Sequence, residues 1–295
     1  MTLETGRSFG AQSMSKPIKR VLMRDAASAM HGADPKKWHY GPTFGENEAA
    51  SQHARFAEMV AASGAEIEWL PAERDGLADS VFTHDPSLVT DKGAVILRMG
   101  KPLRVPEPAL HEALYERLGV PVIGRIEAPG TVEGGDCIFV DEKTLAIGRG
   151  SRTNEAGIAQ LRDILAPQGI EVLGFDLPYG QGEEACLHLM SVASPLAPDL
   201  MLVYAPLLRY GFWKLVRERG IRMLEASASE FEASNGLSLN VLPTAPNEVI
   251  MVAGFPETQK LMEDAGCRVQ TFEADALCIA CEGGPTCLTR PFLRG

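Results

Sequence analysis

The sequence lacks the features that mark membrane, secreted and nucleic-acid-binding proteins. No run approaches the roughly 18 apolar residues of a membrane-spanning helix, and residues 1–19 contain no apolar core of a signal peptide. A basic excess is also missing, because 28 lysines and arginines stand against 39 acidic residues, for a net charge of -11. We therefore expect a cytoplasmic protein with no membrane or nucleic-acid partner, whose acidic field favours small cationic ligands.

The six cysteines do not form the dense pattern of a disulfide-stabilised secreted domain, because they are spread over 295 residues. We expect reduced thiols. Cys278 and Cys281 form a CxxC pair, and together with Cys287 and His188 they could hold zinc. The interpretation that we favour is a buried strand over residues 277–281 with inert thiols, and no metal or cofactor.

What is present indicates an ordinary globular chain. Apolar residues make up 45% of the sequence and charged residues 23%, which is enough apolar surface for a sizeable core. The first residues are rich in serine, glycine and threonine, a composition typical of flexible termini. We predict a disordered tail over residues 1–18 and a single domain over residues 19–295.

One pattern recurs five times along the chain: a helix-like segment reaches a glycine and is followed by a short apolar strand. The glycines, spaced by 55, 50, 51 and 46 residues, are Gly64, Gly119, Gly169, Gly220 and Gly266. A period near fifty that fills the chain indicates one supersecondary unit copied five times, because a single unit cannot bury its own apolar face.

Four of the repeats also contain two strand-like runs ahead of a helix. The helices carry apolar residues at helical spacing, and turn-forming residues join the paired runs. The runs are 80–83 with 94–98, 137–140 with 144–147, 188–193 with 200–204 and 237–242 with 248–252. The unit is therefore two strands, a helix and a strand (ββαβ). Five units around an axis predict an α/β fold: a five-bladed, pseudo-fivefold propeller with outer helices and a central channel.

Chemically reactive side chains recur at similar places in these units. The distance from the preceding repeat glycine is 21, 14, 19 and 21 residues for Asp85, Glu133, His188 and Cys287, while the fourth unit has only Asn235 and Asn240 there. Similar places in related units lie at similar heights around the axis. We therefore expect two carboxylates, an imidazole and a thiol to meet at one mouth of the channel, as in an enzyme active site.

Three of these residues, taken singly, also have a structural interpretation. Asp85 precedes a proline and could open a turn, Glu133 could belong to an ordinary tight loop, and His188 could be a hydrogen-bonded core histidine. Cys287 differs, because Gly283 and Gly284 before it let the backbone approach a ligand and hold a thiol at a loop end.

Five ordered motifs resemble the guanidine-modifying superfamily, or penteins, which includes arginine deiminases, dimethylarginine dimethylaminohydrolases and amidinotransferases. The motifs are Phe-Thr-His-Asp at 82–85, Glu-Gly-Gly-Asp at 133–136, Ser-Arg-Thr-Asn at 151–154, His-Leu at 188–189 and Gly-Gly-Pro-Thr-Cys at 283–287. The resemblance spans about residues 19–293. It implies a propeller of five ββαβ units, in agreement with the repeat.

The resemblance also implies roles for residues. Cys287 would attack the guanidinium carbon, His188 would shuttle protons, and Glu133 and Asp85 would hold the guanidinium nitrogens. A covalent S-alkylthiouronium intermediate would follow, and water would release a urea product. The further substrate-binding residues implied are Arg104 and Arg152, for a carboxylate group, together with Asp136 and Phe82.

Within the superfamily, the sequence resembles the dimethylarginine hydrolases most. It lacks the additional helical domain of arginine deiminases, and Met190 stands where deiminases carry an aspartate. An apolar Met190 beside the guanidine would tolerate an alkylated nitrogen, which predicts hydrolysis of N-methylated arginine to citrulline and alkylamine. Two residues depart from the pattern of the dimethylarginine hydrolases. His84 stands in place of the glutamate common in that branch, and Pro291 is closer to the deiminase pattern.

Alternatives therefore stay open. The chain could be an arginine deiminase, an amidinotransferase or a hydrolase of another guanidino acid, and a non-enzymatic binding protein on the same propeller is a further option that the complete residue set disfavours. We expect a small cationic guanidino substrate as partner, with a homodimer as one option for assembly. Residues 32–46, rich in glycine, proline and aromatic residues, are the candidate lid.

Overall fold

Five three-stranded sheets form the protein, arranged as the blades of an α/β propeller, as predicted. The computed structural model describes residues 7–73, 76–179 and 187–295. In every blade the central strand pairs antiparallel with one neighbour and parallel with the other. This is the pairing that a ββαβ unit produces, because a parallel pair needs a crossover connection.

The first blade joins strands from both ends of the described chain. It consists of β1 (Ile18–Met23), β2 (Glu66–Trp69) and β15 (Arg290–Arg294). Strand β15 runs antiparallel to β1, and β2 runs parallel to it. The sequence analysis did not anticipate this pairing of the first and last strands.

The other four blades are each formed by consecutive strands. The second has β3 (Ser87–Thr90), β4 (Gly93–Ile96) and β5 (Val122–Arg125), and the third has β6 (Cys137–Asp141), β7 (Thr144–Arg149) and β8 (Glu171–Asp176). The fourth has β9 (Ala193–Ala197), β10 (Leu200–Val203) and β11 (Arg222–Glu225). The fifth has β12 (Leu242–Ala245), β13 (Glu248–Val252) and β14 (Arg268–Phe272).

One helix connects the parallel pair of each blade. These crossover helices are α3 (Glu46–Ala62), α4 (Glu107–Leu118), α5 (Glu155–Leu165), α6 (Tyr210–Glu218) and α8 (Pro256–Asp264). Shorter helices are α1 (Ala26–Ala29), α2 (Pro35–Trp38) and α7 (Ala228–Ala233). None of the helices described is long and apolar enough to cross a lipid bilayer.

The five repeat glycines all adopt positive φ, between 65° at Gly169 and 98° at Gly266. Only glycine enters this region without steric cost, so it ends a helix and turns the chain into the following strand. The sequence therefore predicted these five helix–strand junctions correctly.

In three blades the first strand begins later than the sequence predicts. Residues 78–81, 189–191 and 237–239 form single 3₁₀ turns, and strands β3, β9 and β12 follow them. The predicted strand at 277–281 is also wrong, because Asp275–Ile279 forms a π-helical turn. Short buried apolar runs look alike in a turn and in a strand, so composition alone did not distinguish them.

Part of the segment predicted as a tail makes hydrogen bonds to the blades. Residues 1–6 lie outside the described residues, but Gly10 donates a backbone hydrogen bond to Phe292 O at 2.7 Å. The side chain of Gln12 donates to Glu142 O at 2.8 Å and accepts from the backbone of Asp91. This segment thus contacts the first, second and third blades. A single domain over the remaining chain stays a prediction.

Candidate active site

A cavity of about 400 Å³ gathers most of the predicted site residues. Six of the eight line it: Phe82, Asp85, Arg104, Arg152, His188 and Cys287. Its other lining residues are Trp38, His39, Asp79, Gly100, Lys101, Pro102, Ser151, Cys281, Glu282 and Gly283. The cavity combines a thiol, an imidazole and several charges of both signs.

Short 3₁₀ turns before β3, β6 and β9 position Asp85, Glu133 and His188. Glu133 and His188 are the residues that cap the turns 134–136 and 189–191, directly before β6 and β9. Asp85 follows the turn at 78–81 and precedes β3. A 3₁₀ turn lies before the first strand of four blades, and the expected convergence of the recurring residues with Cys287 is found.

Glu133 does not line the cavity itself, but it forms a buried pair with His188, which does. His188 Nε2 lies 2.9 Å from Glu133 Oε2, where the ring donates because an ionised carboxylate only accepts. The other oxygen accepts from the backbone N–H groups of Gly100 and Lys101 at 2.9 and 3.2 Å. Burial alone would raise the pKa of Glu133, but the hydrogen bond and charge of His188 hold it below its usual value.

Asp85 is the second ionised carboxylate. It accepts from Arg104 Nη1 at 2.6 Å and from the backbone N–H of Gly135 at 3.0 Å. Burial opposes ionisation, yet the charges of Arg104 and His188 keep the pKa of Asp85 well below its usual value. Ligand-type atoms of Asp85, Glu133 and His188 lie within 4.8 Å of one another.

The predicted carboxylate contact of Arg104 does not fit its surroundings. Its guanidinium pairs with Asp85 and with Glu107, to which Nε and Nη2 donate at 2.8–3.0 Å, and Nη2 also donates to Phe82 O. Glu107, at the start of α4, gave no signal in the sequence. Both arginines line the cavity, but Arg104 is held by Asp85 and Glu107 and orients Asp85, whereas Arg152 lies 3.8 Å from Glu133.

Asp136 and Met190 are the other corrections. Asp136 does not line the cavity, because its oxygens accept from Leu189 N at 3.0 Å and from Thr153 Oγ1 at 2.6 Å. Burial raises the pKa of Asp136 to about 6. Met190 lines a separate cavity of about 10 Å³ with His84, so the expectation of an apolar wall beside the guanidine is not met.

Cys287 follows the glycine pair of its loop and is half-buried. A Cβ at position 283 would lie 2.3 Å from the ring of Phe82, so only glycine lets this ring lie against the loop. Asn240, from the turn before β12, donates to Cys287 Sγ at 3.0 Å. Phe82 and Asn240 thus bracket the loop that presents the thiol.

Sequence reasoning missed a second charged group in the cavity. Asp79 accepts from Lys101 Nζ at 2.6 Å and from the hydroxyl of Tyr40 at 2.9 Å. Lys101 Nζ also lies 5.6 Å from the ring centre of Trp38. Trp38 and Tyr40 belong to residues 32–46, the segment predicted as a lid, and that prediction was the sequence signal closest to this group. The comparison of the repeats did not single out Asp79 or Lys101.

The zinc alternative is not supported by the arrangement of the cysteines. Within the described ranges, the one group of three or more potential metal ligands is Asp85, Glu133 and His188, which contains no sulfur. Cys278 is fully buried, and burial raises its pKa well above the usual value.

Known proteins resemble the chain in sequence and in fold. A family model for arginine deiminase matches residues 70–219. The N(G),N(G)-dimethylarginine dimethylaminohydrolase (DDAH) of Streptomyces coelicolor is 30% identical over 239 residues, covering 79% of this chain and 84% of that protein. The enzyme of the same name from Pseudomonas aeruginosa is 29% identical over 245 residues, covering 83% and 89%.

The comparison with solved structures agrees with the sequence matches. A solved structure of DDAH from Pseudomonas aeruginosa, a mutant complexed with citrulline, matches with a TM-score of 0.75 and 24% identity. The match covers 94% of this chain and all of that one. Together with the sequence matches, it shows that the chain belongs to the arginine deiminase family, within the guanidine-modifying superfamily.

Proposed function

We propose that this protein is a hydrolase that uses Cys287 to cleave a C–N bond of a guanidino compound, with N-methylated arginine as substrate. One observation carries the proposal: the Cys287 thiol, the His188 imidazole and the ionised Asp85 line a single cavity, and the ionised Glu133 lies next to His188 and Asp85. The relatives named dimethylarginine dimethylaminohydrolase support the substrate class, because they align over most of their own length.

The two carboxylates bind the cation in this mechanism. A guanidinium is a resonance-stabilised cation and a poor electrophile, so it has to be fixed before a nucleophile can attack it. Asp85 and Glu133 are held ionised, and each carboxylate has lone pairs beyond those already used within the protein. They accept N–H bonds from the guanidinium and set its plane against the thiol.

Cys287 and His188 carry out the bond changes. The thiolate adds to the guanidinium carbon, and His188 gives a proton to the departing amine as the C–N bond breaks. This leaves an S-alkylthiouronium on Cys287. Water then adds to the same carbon and gives a proton to His188. The C–S bond breaks as the new hydroxyl group loses its remaining proton to solvent, which releases citrulline and the thiolate.

The remaining charges suit the amino-acid end of such a substrate. Arg152 and Lys101 are cations on the cavity wall and can pair with an α-carboxylate. Asp79 is a buried carboxylate next to Lys101 and can accept from an α-amino group. We assign Arg104 to the orientation of Asp85 instead of to this end.

Arginine itself is the second candidate substrate. Met190 lies away from the cavity, so the apolar wall that would favour an alkylated nitrogen is not provided by this residue. The arginine deiminase family that matches the chain also favours this alternative. A homodimer and a cytoplasmic location stay predictions.

The test compares substrates and variants of one enzyme preparation. We expect a higher kcat/KM for N,N-dimethylarginine than for arginine, measured by released citrulline and dimethylamine or ammonia. Cys287→Ser should lower turnover by about a thousandfold or more. The matched control is Cys267→Ser, at a buried thiol in the fifth blade, which should stay within about twofold.

Each result decides one part of the proposal. More than about a tenth of wild-type activity in Cys287→Ser would contradict the covalent mechanism. Faster hydrolysis of arginine than of its methylated forms would make the protein a deiminase. Dialysis against a chelator should leave turnover unchanged, and a loss that zinc restores would revive the metal alternative.

A further inference from the structure

The fifth blade contributes an amide where other blades contribute reactive groups. Asn240 follows the 3₁₀ turn 237–239 and lies two residues before β12, the same distance at which Asp85 precedes β3. Its side-chain nitrogen lies 3.0 Å from Cys287 Sγ. Asn240 does not line the cavity, so its amide faces the sulfur from the protein side.

The orientation of this amide is fixed by its other end. Asn240 Oδ1 accepts from the backbone N–H of Thr286 at 3.1 Å. Since only the oxygen can accept this bond, the NH₂ group has to face the sulfur. One side chain therefore bonds both to the nucleophile and to the backbone of the residue before it.

Gly284 leaves the space that this contact needs. A Cβ at position 284 would lie 2.5 Å from Cγ and 2.7 Å from Cβ of Asn240. These atoms are close to the backbone of Asn240 and cannot swing away as the end of a long side chain could. The second glycine of the Gly-Gly pair thus admits the amide beside the sulfur.

We propose that Asn240 is a positioning residue, which donates a hydrogen bond to Cys287 Sγ, fixes its direction and stabilises the thiolate before substrate arrives. The inference rests on the proposed function, because it assigns the support of that nucleophile. A neutral donor next to a sulfur favours the anion, since a thiolate accepts a stronger hydrogen bond than a thiol does.

The test measures the thiolate without using guanidine recognition. The rate of alkylation of Cys287 by iodoacetamide is followed against pH by peptide mapping, in wild type, Asn240→Ala and Asn240→Asp. The aspartate has the same shape and still accepts from Thr286 N–H, but it replaces the donor to sulfur with a negative charge. The other titratable groups around the cavity are unchanged: His39, His188, Asp85, Arg104, Arg152, Asp79, Lys101, Cys281 and Glu282.

We expect Cys287 of Asn240→Ala to be alkylated about tenfold more slowly at pH 7, because the midpoint of its rate against pH should rise by about one pH unit. The midpoint of Asn240→Asp should rise further. Gly284→Ala should resemble Asn240→Ala. The matched control is Asn247→Asp, whose side chain faces Cys267 in the same blade and which should leave the profile unchanged.

The outcome separates this inference from the function on which it rests. An unchanged midpoint in Asn240→Asp, in a protein that unfolds like the wild type, would overturn the role of Asn240. Full turnover in Cys287→Ser would instead overturn the nucleophile itself. A structural role alone would lower the unfolding temperature and leave the midpoint where it is.

Discussion

Three buried carboxylates near the cavity differ in their partners rather than in their burial. Asp85 faces Arg104, and Glu133 faces His188, so both stay ionised. Asp136 accepts from a hydroxyl and a backbone N–H, and burial outweighs these bonds and the charge of His188, so its pKa is raised. The recurrence in the sequence identified the first two, but it could not exclude Asp136, which ends the same motif. Partners distant in sequence decide which carboxylate binds a cation.

At Asp136 we predict a pH-dependent effect on stability. Its folded pKa of about 6 exceeds the usual value of 3.8, so the protonated form is favoured in the fold. The resulting stabilisation is complete below about pH 4 and is lost as the pH rises to about 6. Relative to wild type, Asp136→Asn should therefore gain about 3 kcal/mol in free energy of unfolding between pH 4 and pH 7.

Urea unfolding of wild type and Asp136→Asn at both pH values checks this. Other groups that titrate in this range are common to the two proteins and cancel in the difference. A difference that stays constant with pH would mean that Asp136 is ionised in the fold.

At the scale of elements, local patterns predicted the crossovers but not the turns before the first strands. The helix–glycine–strand junctions depend on residues next to each other, and all five are present. The 3₁₀ turns are buried by neighbouring blades, so their apolar residues look like strands in the sequence. These turns position Glu133 and His188, and the loop 283–287 meets them across the channel mouth.

We predict a loss of activity when Gly283, in the loop that presents Cys287, is substituted. Gly283→Ala places a methyl group 2.3 Å from the ring of Phe82, so either the ring or the Cys287 loop has to move. A displacement of this size should reduce kcat/KM by about a hundredfold. Gly174→Ala in β8, where the nearest atom is 3.5 Å away, is the control and should retain wild-type kinetics. Wild-type kinetics in Gly283→Ala would show that the loop adapts at no cost.

For the whole molecule, the repeat predicted the number of blades but not how the ring closes. The first and last strands, β1 and β15, share one sheet, a pairing between segments about 270 residues apart that no local pattern encodes. Phe292 of β15 is fully buried, with its ring 6.3 Å from that of Tyr115 in α4. It packs in the same cluster as Leu22 of β1 and Val89 of β3. This side chain joins the closing strand to the second blade.

Phe292→Ala is therefore expected to lower the free energy of unfolding by about 3–5 kcal/mol, because it leaves a cavity where two blades meet. Val105→Ala, at a side chain that is 48% exposed, is the control and should cost less than about 0.5 kcal/mol.

The measurement is urea unfolding followed by far-UV circular dichroism, tryptophan fluorescence and residual activity. Trp69 and Trp213 belong to the first and fourth blades, so fluorescence reports on distant parts of the ring. If the chain is one domain, the three signals shift together to lower urea in Phe292→Ala. Separate transitions would show that the blades unfold independently and would contradict the single domain predicted for residues 19–295.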